Sequence, residues 1–178
     1  LGTPSDRATL AKAWIAMLQA AGAPDLPLWD TENNFGLAGP GPTNPDQDIN
    51  GPRAGQWAAR TYLDALRLGV SRVYWYAWAP SADLLGIQMN TGSTAAKALA
   101  TLQDWIVGAQ FNGCVGSLKV TCSFTKNGVA SKVVWAERGS TLVKVKARAP
   151  RVCQLNGTCR TVAPGKSVRV VGPVLFTR

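Results

Sequence analysis

The stretch 25-DLPLWDTENNFG-36 places a carboxylate where an apolar run gives out. The chain has only two glutamates, and Glu32 is one of them. A carboxylate at a strand end either caps the turn that follows or serves as a catalytic group. Asp30 lies two residues back and, in a regular strand, points to the same side, as a supporting hydrogen-bond acceptor. Asn33 and Asn34 offer amides next to it, at a position where asparagine otherwise does turn chemistry. Histidine is absent, which removes the commonest metal ligand and the commonest general base. No metal and no cofactor is expected. One segment imitates a calcium loop, 46-DQDING-51, but its twelfth position, where a bidentate Glu belongs, is Trp57, and Pro52 intrudes. It is read as a loop leading into a helix.

These groups need elements to position them. Thr3-Pro4 supplies a cap and a first-turn proline, and Leu10, Trp14, Met17, Leu18 and Ala21 recur at helical spacing until Gly22. A strand from Leu26 to Glu32 follows, then a long loop rich in Gly, Pro and Asn, of a kind that is often functional. Pro52 opens a second helix to about Leu68. The run 70-VSRVYWYAW-78 reads as a second strand, dense in Val, Tyr and Trp. Trp75 and Trp78 differ by three and therefore face opposite sides, with Trp78 last on the strand and Tyr76 between them. Trp14, Trp57 and Trp105 fall on helices and are expected in the core. Ser93 caps a third helix with Leu99, Leu102 and Ile106 on one face. A strand–helix–strand unit of this length implies parallel strands and a right-handed crossover. Two parallel strands do not make a domain, because such sheets are covered on both faces and need neighbours at both edges. Residues 1–110 are therefore expected to be part of a larger α/β unit.

The final third differs. Segments such as KVTCSF, SKVVWAE, RVCQL and SVRVV alternate apolar and polar residues between NG, RGS and PGK turns, as in a small antiparallel β-sandwich. Residues 1–110 carry seven Lys/Arg against nine Asp/Glu, whereas 111–178 carry twelve against one, Glu137. This step in charge marks a boundary near residue 110. The basic surface is expected mainly to favour solubility, an anionic wall polymer or acidic glycan being the other reading; nucleic acid is not expected. Four cysteines allow three pairings. Cys114 with Cys122 and Cys153 with Cys159, each stapling a hairpin, is the first choice, with four reduced thiols as the alternative. Disulfides imply an oxidising, secreted or extracytoplasmic setting. No apolar run reaches the ~20 residues of a membrane span. The start on Leu rather than Met reads as a processed or trimmed product.

Taken in order, L-W-x-T-E at 28–32, G-V-x-R-V-Y-W-Y-x-W at 69–78, W-I-V-G-A at 105–109 and a closing P-V-L-F at 173–176 resemble the clan A glycoside hydrolases. The likeness is to actinobacterial proteins related to families 5 and 39. It implies the last part of an eight-stranded (β/α)8 TIM barrel, with PLWDTE as strand seven and VYWYAW as strand eight, followed by a β-sandwich. It also implies a carbohydrate substrate, Glu32 as the nucleophile and Trp78 as the aromatic platform under the sugar; Asn33, Asn34 and Tyr76 are then expected to contact the substrate too, the asparagines through sugar hydroxyls, with turn chemistry as their alternative. Retaining hydrolysis needs a second carboxyl group about 5–5.5 Å away as general acid. In the family that acid ends strand four, usually as Asn-Glu, and no such strand is present. The acid is expected from an upstream half of the barrel or a second copy of the chain. A non-catalytic carbohydrate- or cell-wall-binding protein on a degraded barrel is the alternative.

Overall fold

The computed structural model describes residues 2–36, 49–78, 86–146, 148 and 150–177. It is a mixed helix and sheet structure with many antiparallel strands, in two compact units, Leu1–Ala96 and Lys97–Arg178.

In the first unit, α1 (Pro4–Ala20) begins at a complete capping box. Thr3 accepts from the Asp6 backbone N–H, and the Asp6 carboxylate accepts from Thr3 N at 2.7 Å. The strand β1 (Trp29–Asn33) starts later than expected, because Pro27 brings no N–H to a ladder. The helix α2 (Gly51–Leu68) ends on Gly69 at φ 75°, a left-handed position from which the chain turns into β2 (Arg72–Trp75). The two strands pair in parallel, Trp29 opposite Arg72 and Asp30 opposite Val73, and Arg72 stacks on the Trp29 ring at 4.4 Å. Among the described residues, β1 and β2 pair only with each other.

One cation ties three elements together. Arg7 on α1 donates through Nε (2.7 Å) and Nη2 to Asp30 on β1, and through Nη1 to the Thr61 carbonyl on α2 (3.2 Å). Both charged groups are largely shielded from water, so the pair fixes which side of α1 meets the strand. The consequence overturns an expectation. Leu10, Trp14 and Met17, a helical stripe read as core, are 55%, 50% and 59% exposed, while α1 buries Pro4, Ser5 and Ala8. On α2 the inward residues are those expected of a covered helix, Ala58 and Leu63 among them, and Trp57 meets Phe35 edge-on at 5.4 Å.

The helix α3 (Thr94–Ile106), whose first three residues fall in the first unit and the rest in the second, is capped by Ser93 Oγ, which accepts from Ala96 N. It buries Ala95, Ala98 and Leu102. The strands of the second unit are β3 (Gln110–Val115), β4 (Lys119–Lys126), β5 (Val129–Ala136), β6 (Thr141–Lys144), β7 (Arg151–Gln154), β8 (Cys159–Thr161), β9 (Ser167–Val170) and β10 (Val174–Thr177). Six form an antiparallel sheet in the order β3-β4-β5-β10-β7-β8, and β6 pairs with β9. Both sheets feed one valine cluster, with Val152 and Val174 from the first and Val168 and Val170 from the second. Both expected disulfides are present, each between residues directly opposite in a hairpin: Cys114–Cys122 across β3–β4 and Cys153–Cys159 across β7–β8. Such bonds are compatible with an extracytoplasmic protein. No helix among the described residues is long and apolar enough to cross a membrane.

Tyr62, half-buried on α2 beside the Arg7–Asp30 pair, supplies a test of this packing. Burial pushes its phenol above the ordinary value of 10.0; the Arg7 charge opposes the shift and the Asp30 charge adds to it. The unfolded phenol therefore ionises first, and stability that is complete below pH ~10 is lost as pH rises toward the folded value. Ultraviolet titration of the phenolates should show a late component that disappears in Tyr62→Phe, with a shallower alkaline loss of stability. A late component unchanged in Tyr62→Phe would contradict the packing.

Candidate active site

The C-terminal ends of β1 and β2 lie at the same end of the parallel pair, and the sequence-predicted residues gather there. The register slips between them: Asp30 faces Val73 and Asn33 faces Trp75, so Thr31 and Glu32 together oppose Tyr74. This bulge adds one residue to β1 and breaks its alternation. The regular alternation on which Asp30 and Glu32 were expected to share a side is therefore broken, although both line the hollow beside β1. Asp30 turns to Arg7 of α1, and Glu32 is exposed. Bulges of this sort often re-aim a side chain next to an active site.

Asn34 holds this end of the sheet together. Its Nδ2 donates to the carbonyls of Tyr76 and Ile87, and its Oδ1 accepts from Phe35 N (2.7 Å) and Ile87 N (3.1 Å). Both donor hydrogens and both acceptor sites are used. Asn34 was expected to touch a sugar; it has no bonding capacity left for one and instead bridges the chain beyond β1, the chain beyond β2 and the segment at Gly86–Ile87. Gly86 is required there, since a Cβ would meet the Phe35 carbonyl at 2.9 Å. Asn33 is also buried, and its Oδ1 has no hydrogen-bond partner among the described residues. Its backbone carbonyl accepts from Tyr76 N at 2.9 Å, which seats Tyr76 beside it.

The strand β2 ends at Trp75, so Trp78 lies three residues past the strand rather than on its last position. Trp75 turns inward against Phe35, with ring centroids 6.2 Å apart, whereas Tyr74, Tyr76 and Trp78 are exposed. Trp75 and Trp78 thus differ in exposure, Trp78 being the open ring. An open hollow of about 460 Å³ runs along β1, lined by Leu10, Trp14, Trp29, Asp30 and Glu32. Glu137, the other glutamate, lies in the second unit, just after β5. Half of the calcium-like segment, residues 46–48, and most of the long loop, residues 37–48, lie outside the described residues. Among the described residues no group of three or more acidic or cysteine side chains is placed to hold a metal.

The bulge and the Asn34 bracket were not foreseeable from residue spacing. Alternation assumes a regular strand, and an asparagine after a strand reads equally as turn or ligand contact.

No family model matches this chain, and no curated protein matches it. Among solved structures it is similar in fold to a GH30 endoxylanase from Clostridium papyrosolvens C71, with a TM-score of 0.50 and 14% identity. The match covers 91% of this chain and 44% of that enzyme's, so the chain spans less than half the length of the structure it resembles.

If Asn34 is the bracket, Asn34→Ala strands buried backbone groups of Phe35, Tyr76 and Ile87. At about 1–3 kcal/mol for an unsatisfied buried group, the loss should be about 2–4 kcal/mol. Asn34→Asp should be no better, since a carboxylate cannot donate to the two carbonyls. Urea unfolding followed by tryptophan fluorescence measures both; wild-type midpoints in both variants would refute the role.

Proposed function

We propose that this chain is the C-terminal part of a (β/α)8 glycoside hydrolase barrel followed by a basic, disulfide-stapled β-sandwich module, from a secreted enzyme that hydrolyses O-glycosidic bonds with retention. Residues 1–110 supply strands seven and eight with their helices, and 111–178 the module. Glu32 is the nucleophile. Its carboxylate attacks the anomeric carbon, and the resulting glycosyl ester is hydrolysed by water. Trp78 offers an apolar ring to the face of the sugar, Tyr76 flanks it, and Asn33 is the amide that retains capacity for a sugar hydroxyl. The general acid comes from barrel strands outside this chain.

The observation that carries this reading is the exposure of Glu32 on a bulge at the C-terminal end of a parallel strand. That is where barrel enzymes place their catalytic residues. Two further features support it. The fold likeness is to an enzyme named as an endoxylanase, and it spans under half of that enzyme. The open edge of β1 and the exposed stripe of α1 also form an apolar surface of a kind that monomers rarely leave uncovered. The preceding barrel strands and their helices would fill the hollow there; a second copy would bring another Glu32 but no acid.

Two assays test the proposal. The 178-residue chain alone should release no reducing sugar from β-glycans. Joined to acid-bearing upstream strands it should be active, and Glu32→Gln should cost several orders of magnitude in kcat while substrate still binds. Near-native turnover by Glu32→Gln, or a fully active 178-residue chain, would refute it.

A further inference from the structure

The β7–β8 hairpin breaks the alternation that built the rest of its sheet. Val152 on β7 is buried in the valine cluster, and cross-strand register places Arg160 opposite it on the same face. Gln154 follows Val152 by two and pairs with the buried Val174, so it too lies on the inward face. Both residues are exposed, so at this edge hairpin the face shared with Val152 opens to solvent and presents an amide and a guanidinium. They line a cleft of about 240 Å³ together with Thr158, Cys159 and Arg169, at which the core residues Val152, Val168 and Val174 show only 4–8% of their surface.

The hairpin holding these donors is stiff. Cys153–Cys159 staples it, Gln154 N donates to the Thr158 carbonyl at 2.9 Å, and Asn156 Oδ1 accepts from both Thr158 N (3.0 Å) and Thr158 Oγ1 (2.6 Å). Donors fixed before binding lose little freedom on binding. The charge is uncompensated as well. Residues 111–178 carry one acid against twelve bases, and Arg160 makes no ion pair among the described residues.

We infer that this cleft binds a carboxylate-bearing sugar of an acidic polysaccharide, with the carboxylate on Arg160 and Gln154. A guanidinium fork matches a planar carboxylate bidentately. The surrounding positive field draws in a polyanion. The inference stands independently of whether Glu32 is catalytic. The competing explanation is that Arg160, inward-pointing on the edge strand β8, only blocks edge-to-edge association.

Calorimetric titration of the 178-residue chain with an oligogalacturonate, a neutral xylo-oligosaccharide and inorganic polyphosphate separates these cases. The oligogalacturonate should bind and the neutral oligomer should not. Arg160→Gln should weaken binding by about tenfold or more. The charge-matched control Arg138→Gln, outside the cleft, should change it by less than about twofold. Arg160→Lys, which keeps the charge and loses the fork, should fall between. Gln154→Ala, which leaves the edge charge in place, should also weaken binding and serves if Arg160→Gln does not fold. No binding, or equal losses in Arg160→Gln and Arg138→Gln, would overturn the site. Aggregation of Arg160→Gln with unchanged affinity in its soluble fraction would favour edge protection instead. Tighter, Arg160-dependent binding of polyphosphate would overturn the ligand class.

Discussion

The side-chain amide of Asn34 is the interaction on which the candidate site of the first unit depends. Two parallel strands of four and five residues have little ladder to hold their ends in register. Asn34 replaces missing ladder bonds with four bonds of its own, to Phe35, Tyr76 and Ile87. Each partner is a backbone group, so the bracket does not depend on which side chains occupy the neighbouring loops. With Asn34 fixed, the preceding bulge is fixed, and with the bulge, the outward aim of Glu32. The Arg7–Asp30 pair does the same at the other end of β1, and it consumes the carboxylate closest in sequence to Glu32.

The same economy leaves the unit open. Arg7 commits one side of α1 to β1 and α2, and Leu10, Trp14 and Met17 are left exposed, Leu10 and Trp14 on the hollow beside β1. In water such a stripe is costly, at about 25 cal/mol per Å² of apolar surface left exposed. A parallel pair also carries unmatched N–H and C=O groups along both outer edges. Both features call for a cover, which in the reading proposed above is further barrel strands and helices. The second unit is different in this respect. Its two sheets share a valine cluster, and its hairpins are closed by disulfides.

Much of this was legible in the sequence, for reasons that can be named. Thr3-Pro4 announced α1 because capping chemistry is local. The cysteine pairs announced their partners because hairpin neighbours are close in sequence as well as in space. Turn residues marked most strands of the second unit, but β3 was missed, since Gln110–Val115 has no clean alternation and contains Gly113. Trp14 was misplaced in the core because helical periodicity identifies an apolar face without saying whether its cover lies in the same chain. At the candidate site, the position of Glu32 at a strand end was readable. The break in alternation between it and Asp30 was not, because a single-residue bulge has no signature in WDTEN, and neither was the use of Asn34 as scaffold.

The most direct test of the account is to trap the intermediate that it requires. The protein carrying this chain together with acid-bearing barrel strands would be incubated with a panel of 2-deoxy-2-fluoro-glycosyl fluorides, whose leaving group departs without acid assistance. Peptide mass spectrometry would then locate the label. The account predicts one fluoroglycosyl group esterified to Glu32. A label on any other carboxylate, or none under conditions where the protein turns over its substrate, would contradict it.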